Sequence, residues 1–86
     1  MRYAKRKGLI MWVDLVLNVG GLEFKAQAKI YDTPSKFGLN GGRISKLHIV
    51  FKGLDYYCYD RGLDLDYLTG TKSGGKVLSE LIRVYN

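Results

Sequence analysis

Cysteine and histidine are the scarcest chemistry in this sequence, with Cys58 and His48 the single examples of each. One cysteine cannot close an internal disulfide, and one of each cannot complete a Cys/His zinc set. The expectation is a fold held by its apolar core in a reducing, cytoplasmic compartment, with no metal and no cofactor. Acidic residues are also few: 8 Asp and Glu stand against 14 Lys and Arg, a net charge of +6. That balance points to an anionic partner, whether nucleic acid, a nucleotide or an acidic protein surface. A long uninterrupted apolar run is missing as well. Arg2, Lys5, Arg6 and Lys7 followed by Leu9 to Val19 imitate a secretory signal, but Asp14 breaks the run and no small-residue cleavage pattern follows. No membrane partner is expected.

The chain has 86 residues, 47% of them apolar and 26% charged, an ordinary globular balance with room for one core. A domain this small gains buried area by pairing with itself, so a homodimer is among the expected partners. We divide the chain into a basic N-terminal arm, 1–10, and a single α+β domain, 11–86.

Apolar periodicity orders the elements. From Leu9 to Leu17 the odd positions are apolar and the even ones include Trp12, Asp14 and Val16, the mark of a half-buried strand. Gly20 and Gly21 supply a tight turn. Leu22 to Tyr31 alternates more cleanly, with Leu22, Phe24, Ala26, Ala28 and Ile30 on one face and Glu23, Lys25, Gln27, Lys29 and Tyr31 on the other. Asp32 to Gly42 contains the only proline and reads as a long loop. A third strand starts near Arg43, with Lys46, His48, Val50 and Lys52 outward. A turn around Gly53 to Asp55 leads to a fourth, tyrosine-rich strand at Tyr56 to Arg61. After a glycine-containing stretch from Asp66 to Gly75, the period changes: Val77, Leu78, Leu81, Ile82 and Tyr85 share one helical face. The expected fold is a four-stranded antiparallel meander with one C-terminal helix packed on one face, close to Ala26 and Ala28.

This register gathers Trp12, Lys25, Lys29, Tyr31, Lys46, His48 and Lys52 on the uncovered face. Ammonium groups neutralise phosphates and ring faces stack on bases, so interleaved cations and aromatics suit nucleic acid or nucleotides. The loop FGLNGGR, Phe37 to Arg43, permits backbone turns that aim amides at an anion, with Arg43 as counter-charge. GTKSGGKV at Gly70 to Val77 has a phosphate-loop skeleton but places Val77 where a magnesium-binding hydroxyl is required. Gly74 and Gly75 are therefore read as ending a loop before the helix. Asp60, Asp64 and Asp66 lack the spacing of a calcium loop, and ion pairing with a neighbouring Arg is expected for Asp60. Cys58 and His48 have no evident third group to orient them, so no catalytic residue is assigned and an enzyme is not expected.

Three strings, LEFKAQAKIYD at Leu22 to Asp32, FGLNGGRISKL at Phe37 to Leu47 and YDRGLDLD at Tyr59 to Asp66, resemble a family of short uncharacterised proteins of phages and Firmicutes. The resemblance covers most of Met11 to Asp66. Members often begin near the Met-Trp pair found here at Met11 and Trp12, and tend to carry aromatics where this chain has His48 and Leu63. It implies no activity. A phage setting implies a counter-defence protein acting in the host cell cytoplasm.

The expected function is non-enzymatic binding of a phosphate-bearing ligand, nucleic acid or nucleotide, through Trp12, Lys25, Lys29, Tyr31, Arg43, Lys46, His48 and Lys52. The alternative is an inhibitor that docks on a host defence protein such as a CRISPR nuclease and binds no nucleotide.

Overall fold

The computed structural model describes residues 10–86; most of the expected basic arm lies outside the described residues. Five strands run β1 (Ile10–Val19), β2 (Leu22–Tyr31), β3 (Ile44–Phe51), β4 (Leu54–Asp60) and β5 (Leu63–Asp66), followed by helix α1 (Lys72–Tyr85). The sheet order is β1-β2-β3-β4-β5, every neighbour antiparallel. The α+β class, the antiparallel meander and the C-terminal helix agree with the expectation, and the strand number is corrected from four to five.

Two-residue turns explain why the chain reverses where it does. Gly20 and Gly21 both hold positive φ, 60° and 83°, which the twist-matching hairpin turn needs at both central positions. Lys52 and Gly53 repeat that pattern between β3 and β4, so β4 begins at Leu54 rather than after Asp55. Arg61 and Gly62 turn β4 into β5, with Arg61 at φ 60°.

The inner face carries the core. Val13, Phe24, Ala26, Ala28, Ile30, Ile44, Leu47, Ile49 and Tyr57 are buried on it, and Val77 and Leu81 descend from the helix. Leu78, Ile82 and Tyr85 pack beside them, half-buried. At the near edge Phe24 stacks on Phe51 at 4.7 Å, and Tyr56 meets Phe51 edge-on at 5.4 Å.

The helix begins at Lys72, inside the stretch read as a loop up to Gly75, and so takes in Gly74 and Gly75. Thr71 is its N-cap: its hydroxyl accepts from the Gly74 N–H at 3.0 Å and donates to the Leu68 carbonyl at 2.8 Å. Asp66 braces the approach, accepting from the N–H groups of Leu68 and Thr69, both at 2.9 Å, and from the Thr69 hydroxyl. Burial works to raise the Asp66 carboxyl, but these hydrogen bonds outweigh it and hold the group below its ordinary value. Asp66 thus shapes a turn. The phosphate-loop look-alike is a capped helix start, with Val77 in the core.

The far end of the helix is pinned by Asn86. Its Oδ1 accepts from the Ile44 N–H at 3.0 Å and its Nδ2 donates to the Leu39 carbonyl at 2.7 Å, tying the helix end to the long loop and the start of β3. Asn86→Ala leaves both part-buried backbone groups without that partner, so stability should fall by about 1–3 kcal/mol. A urea midpoint unchanged from the parent protein would contradict this clamp.

Among the described residues, no helix is long and apolar enough to cross a membrane.

Candidate functional site

The face opposite the helix is uncovered, and its rows follow from the register. Trp12, Lys29, Lys46 and Asp60 lie side by side across β1 to β4. The next row is Asp14, Gln27, His48, Cys58 and Leu65, and the next is Val16, Lys25, Val50 and Asp55. Trp12 is 49% exposed, and the Lys29 ammonium lies 5.8 Å from its ring centroid and 5.4 Å from that of Tyr31. Such cation–ring contacts hold the side chains in place, and Trp12 and Tyr31 remain partly exposed.

The positive charge is not spread evenly over this face. Asp14, Glu23, Asp55 and Asp60 share it with the lysines. Lys46 lies 3.8 Å from Asp60, so Asp60 has a lysine as its partner in place of the expected arginine. His48 Nε2 lies 2.7 Å from Asp55 Oδ1. The middle of the sheet is therefore mixed in sign. Val16, Lys25, Gln27, His48 and Val50 line a shallow depression there, of about 380 Å³ and open to solvent. Lys52 departs from its expected place on the strand: it occupies the β3–β4 turn, and its ammonium lies 5.5 Å from the centroid of the Phe51 ring.

Among the described residues, Lys25 and Lys52 form no salt bridge there, and further cations without a carboxylate partner gather at the other end of the sheet. Arg43 lies in the loop before β3, off the strand face, and lines a notch of about 110 Å³ together with Tyr31, Phe37, Ser45 and Arg61. Backbone hydrogen bonds set this geometry. The Tyr31 N–H donates to the Arg43 carbonyl at 2.9 Å, and the Arg61 N–H donates to the Ser45 carbonyl at 3.0 Å. A register shift after Lys29 makes room for the buried Ser45. Phe37 is anchored through its carbonyl, which accepts from the Tyr59 hydroxyl at 2.9 Å, while the residue stays 48% exposed. Lys36 and Arg61 stand over that ring at 5.3 and 5.4 Å. Among the described residues, Lys29, Lys36, Arg43 and Arg61 form no salt bridge.

Lys36, Phe37 and Arg61 were not singled out from sequence. Phe37 and Lys36 sit in a loop with no period to count, and Arg61 belongs to a turn visible only once β5 is known. Arg61 also holds a left-handed backbone that glycine or asparagine adopts more easily.

Cys58 and His48, read as isolated residues, face each other across β3 and β4, and Asp55 supplies the third group missing from the sequence reading. Burial pushes the Cys58 thiol up, and the nearby Asp55 and Asp64 carboxylates add to the effect. This is opposite to the shift that activates a cysteine nucleophile.

The fold and its two unlike faces define a small α+β domain, with a helix over one side of the sheet and the other side open. The chain belongs to the family described as a domain of unknown function, DUF7678, whose model matches residues 11–86. No curated protein and no solved structure matches the chain.

Proposed function

We propose that this domain binds a phosphate-bearing ligand of nucleic-acid chemistry, a single strand or a nucleotide, without catalysing its conversion. One observation carries the reading: the notch of Tyr31, Phe37, Arg43 and Arg61 runs on to Lys29 and Trp12, joining exposed ring faces to cations that have no carboxylate partner. Guanidinium groups at the notch meet phosphate in fork geometry, and Tyr31, Phe37 and Trp12 offer stacking surfaces for bases. Lys25, Lys46, His48 and Lys52 then lie at the periphery of the site, where they add to the long-range field.

The test uses a labelled single-stranded oligonucleotide titrated at several salt concentrations. Replacing Lys29, Arg43 and Arg61 together by Ala should flatten the slope of log affinity against log salt by about 2, at about 0.7 per phosphate contact. Trp12 is the only tryptophan, so quenching of its fluorescence should accompany binding by the parent protein. An unchanged slope would remove the three cations from the site.

The phage counter-defence setting implied by the sequence resemblance gives such binding a use, capture of a nucleotide signal or of a strand. The second reading, docking on a host defence protein, draws on the apolar part of the open face, where Val16 is 57% exposed beside Val50. Capture from a nuclease-treated host lysate separates the two, because the second reading retains a protein on this domain and the first retains none.

A further inference from the structure

We propose that His48, Asp55 and Cys58 form a binding site for a zinc-like divalent metal ion on the open face of the sheet. One ligand atom from each residue, an imidazole nitrogen, a carboxylate oxygen and the thiol sulfur, lies within 4.8 Å of the other two. Nitrogen, oxygen and sulfur together are the donor set that zinc accepts, whereas magnesium and calcium require oxygen alone. Tetrahedral zinc at bond lengths of about 2.0–2.3 Å holds its ligand atoms roughly 3.3–3.8 Å apart. The three donors reach that arrangement if the His48–Asp55 contact of 2.7 Å opens by about 0.6 Å and the thiol sulfur settles at roughly 3.5 Å from both on metal entry, movements available to half-exposed side chains.

The backbone is shaped for this convergence. Asp55 and Cys58 are three residues apart, so in a regular strand they would point to opposite faces. The register shift between Ile49 and Val50 pairs Val50 with Asp55 and Ile49 with Tyr57, leaving Tyr56 as an extra residue. That bulge turns Asp55 onto the face of Cys58 and His48, which are themselves cross-strand partners. The local charge is also suitable. Asp55 and Asp64 both bear on Cys58, so a cation meets negative charge here, and its entry displaces the thiol proton that the same carboxylates and burial hold in place. Three protein ligands leave a fourth position for water or for an atom of a ligand in the adjoining depression.

The full-length protein is titrated with zinc ions alone, read by competition with a chromophoric chelator, and with cobalt(II), read by absorption. The parent protein should bind one zinc ion per chain. His48→Ala, Asp55→Ala and Cys58→Ser should each weaken it at least tenfold, because even loss of an outer partner of a ligand costs about 10–100-fold. Asp60→Asn, one row away, should leave affinity unchanged. Cobalt should give a thiolate charge-transfer band that Cys58→Ser abolishes. Circular dichroism of each variant separates loss of a ligand from loss of the fold. Absence of one-to-one binding by the parent, or correctly folded His48 and Cys58 variants that bind as the parent does, would overturn the site. Neither result bears on the phosphate notch, since no oligonucleotide is present.

Discussion

Leu81→Ala should destabilise the domain by about 2–5 kcal/mol, the range for removing a fully buried leucine side chain. Leu81 is 1% exposed, and it shares with Val77 the task of holding α1 against β1 and β2. Leu78, Ile82, Tyr85, the Thr71 cap and the Asn86 clamp hold the helix in place around it, so a cavity under Leu81 is not closed by a simple shift of the helix. Against a total stability of about 5–15 kcal/mol for domains in general, this is a large share. Urea unfolding followed by far-ultraviolet circular dichroism measures it directly. A loss below 1 kcal/mol would mean that the helix contributes little to the core. The open face lies on the other side of the sheet, so the native fraction of this variant should bind oligonucleotide and zinc as the parent does.

Gly74→Ala should be nearly as damaging, and Gly75→Ala should have the opposite sign. Within an ordinary helix, alanine in place of glycine is favourable by about 0.5–1 kcal/mol, because it restricts the unfolded chain. At Gly75 a methyl group meets nothing within 4 Å, so that gain should be realised. At Gly74 it would lie 2.4 Å from the Leu68 carbonyl oxygen, 2.5 Å from Thr71 Oγ1 and 2.7 Å from Leu68 Cγ. Real side chains do not tolerate such distances. The first turn must shift, which breaks the Thr71 cap and disturbs the fully buried Leu68. Overpacking and cap loss together give roughly 2–4 kcal/mol. Thermal melting of the two variants side by side provides the check, and two melting temperatures displaced in the same direction would refute the account.

Half-buried strands were the legible part of this sequence. In β2 the alternation of Phe24, Ala26, Ala28 and Ile30 with Lys25, Gln27 and Lys29 fixes both the strand and its faces, and β1 and β3 follow from their own alternation and the shared register. β5 was illegible because Leu63 to Asp66 is four residues of alternating leucine and aspartate. So short a string carries too little pattern to stand apart from a polar loop. The helix start was hidden by two adjacent glycines, which argue for a loop until the close approach at Leu68 is known. Counting by twos also fails across a bulge, so nothing in the spacing of Asp55 and Cys58 reveals that they meet. The notch is set by loop closure: Phe37 and Arg43 come from the β2–β3 connection and Arg61 from the β4–β5 turn, with no period in common. Sequence therefore located the face and its cations, while the cluster without acidic partners emerged only from the fold.

The strand order has a further consequence for how the molecule assembles. Each strand pairs with the one before it in the chain, so the sheet grows through successive hairpins, all but the β2–β3 pair closing a two-residue turn at low entropic cost. Only the C-terminal segment must travel far, with Asn86 reaching Ile44 and Leu39 across 42 and 47 positions. The open face of the sheet is written into the local pairings, and the long return of the helix seals the side that faces away from it.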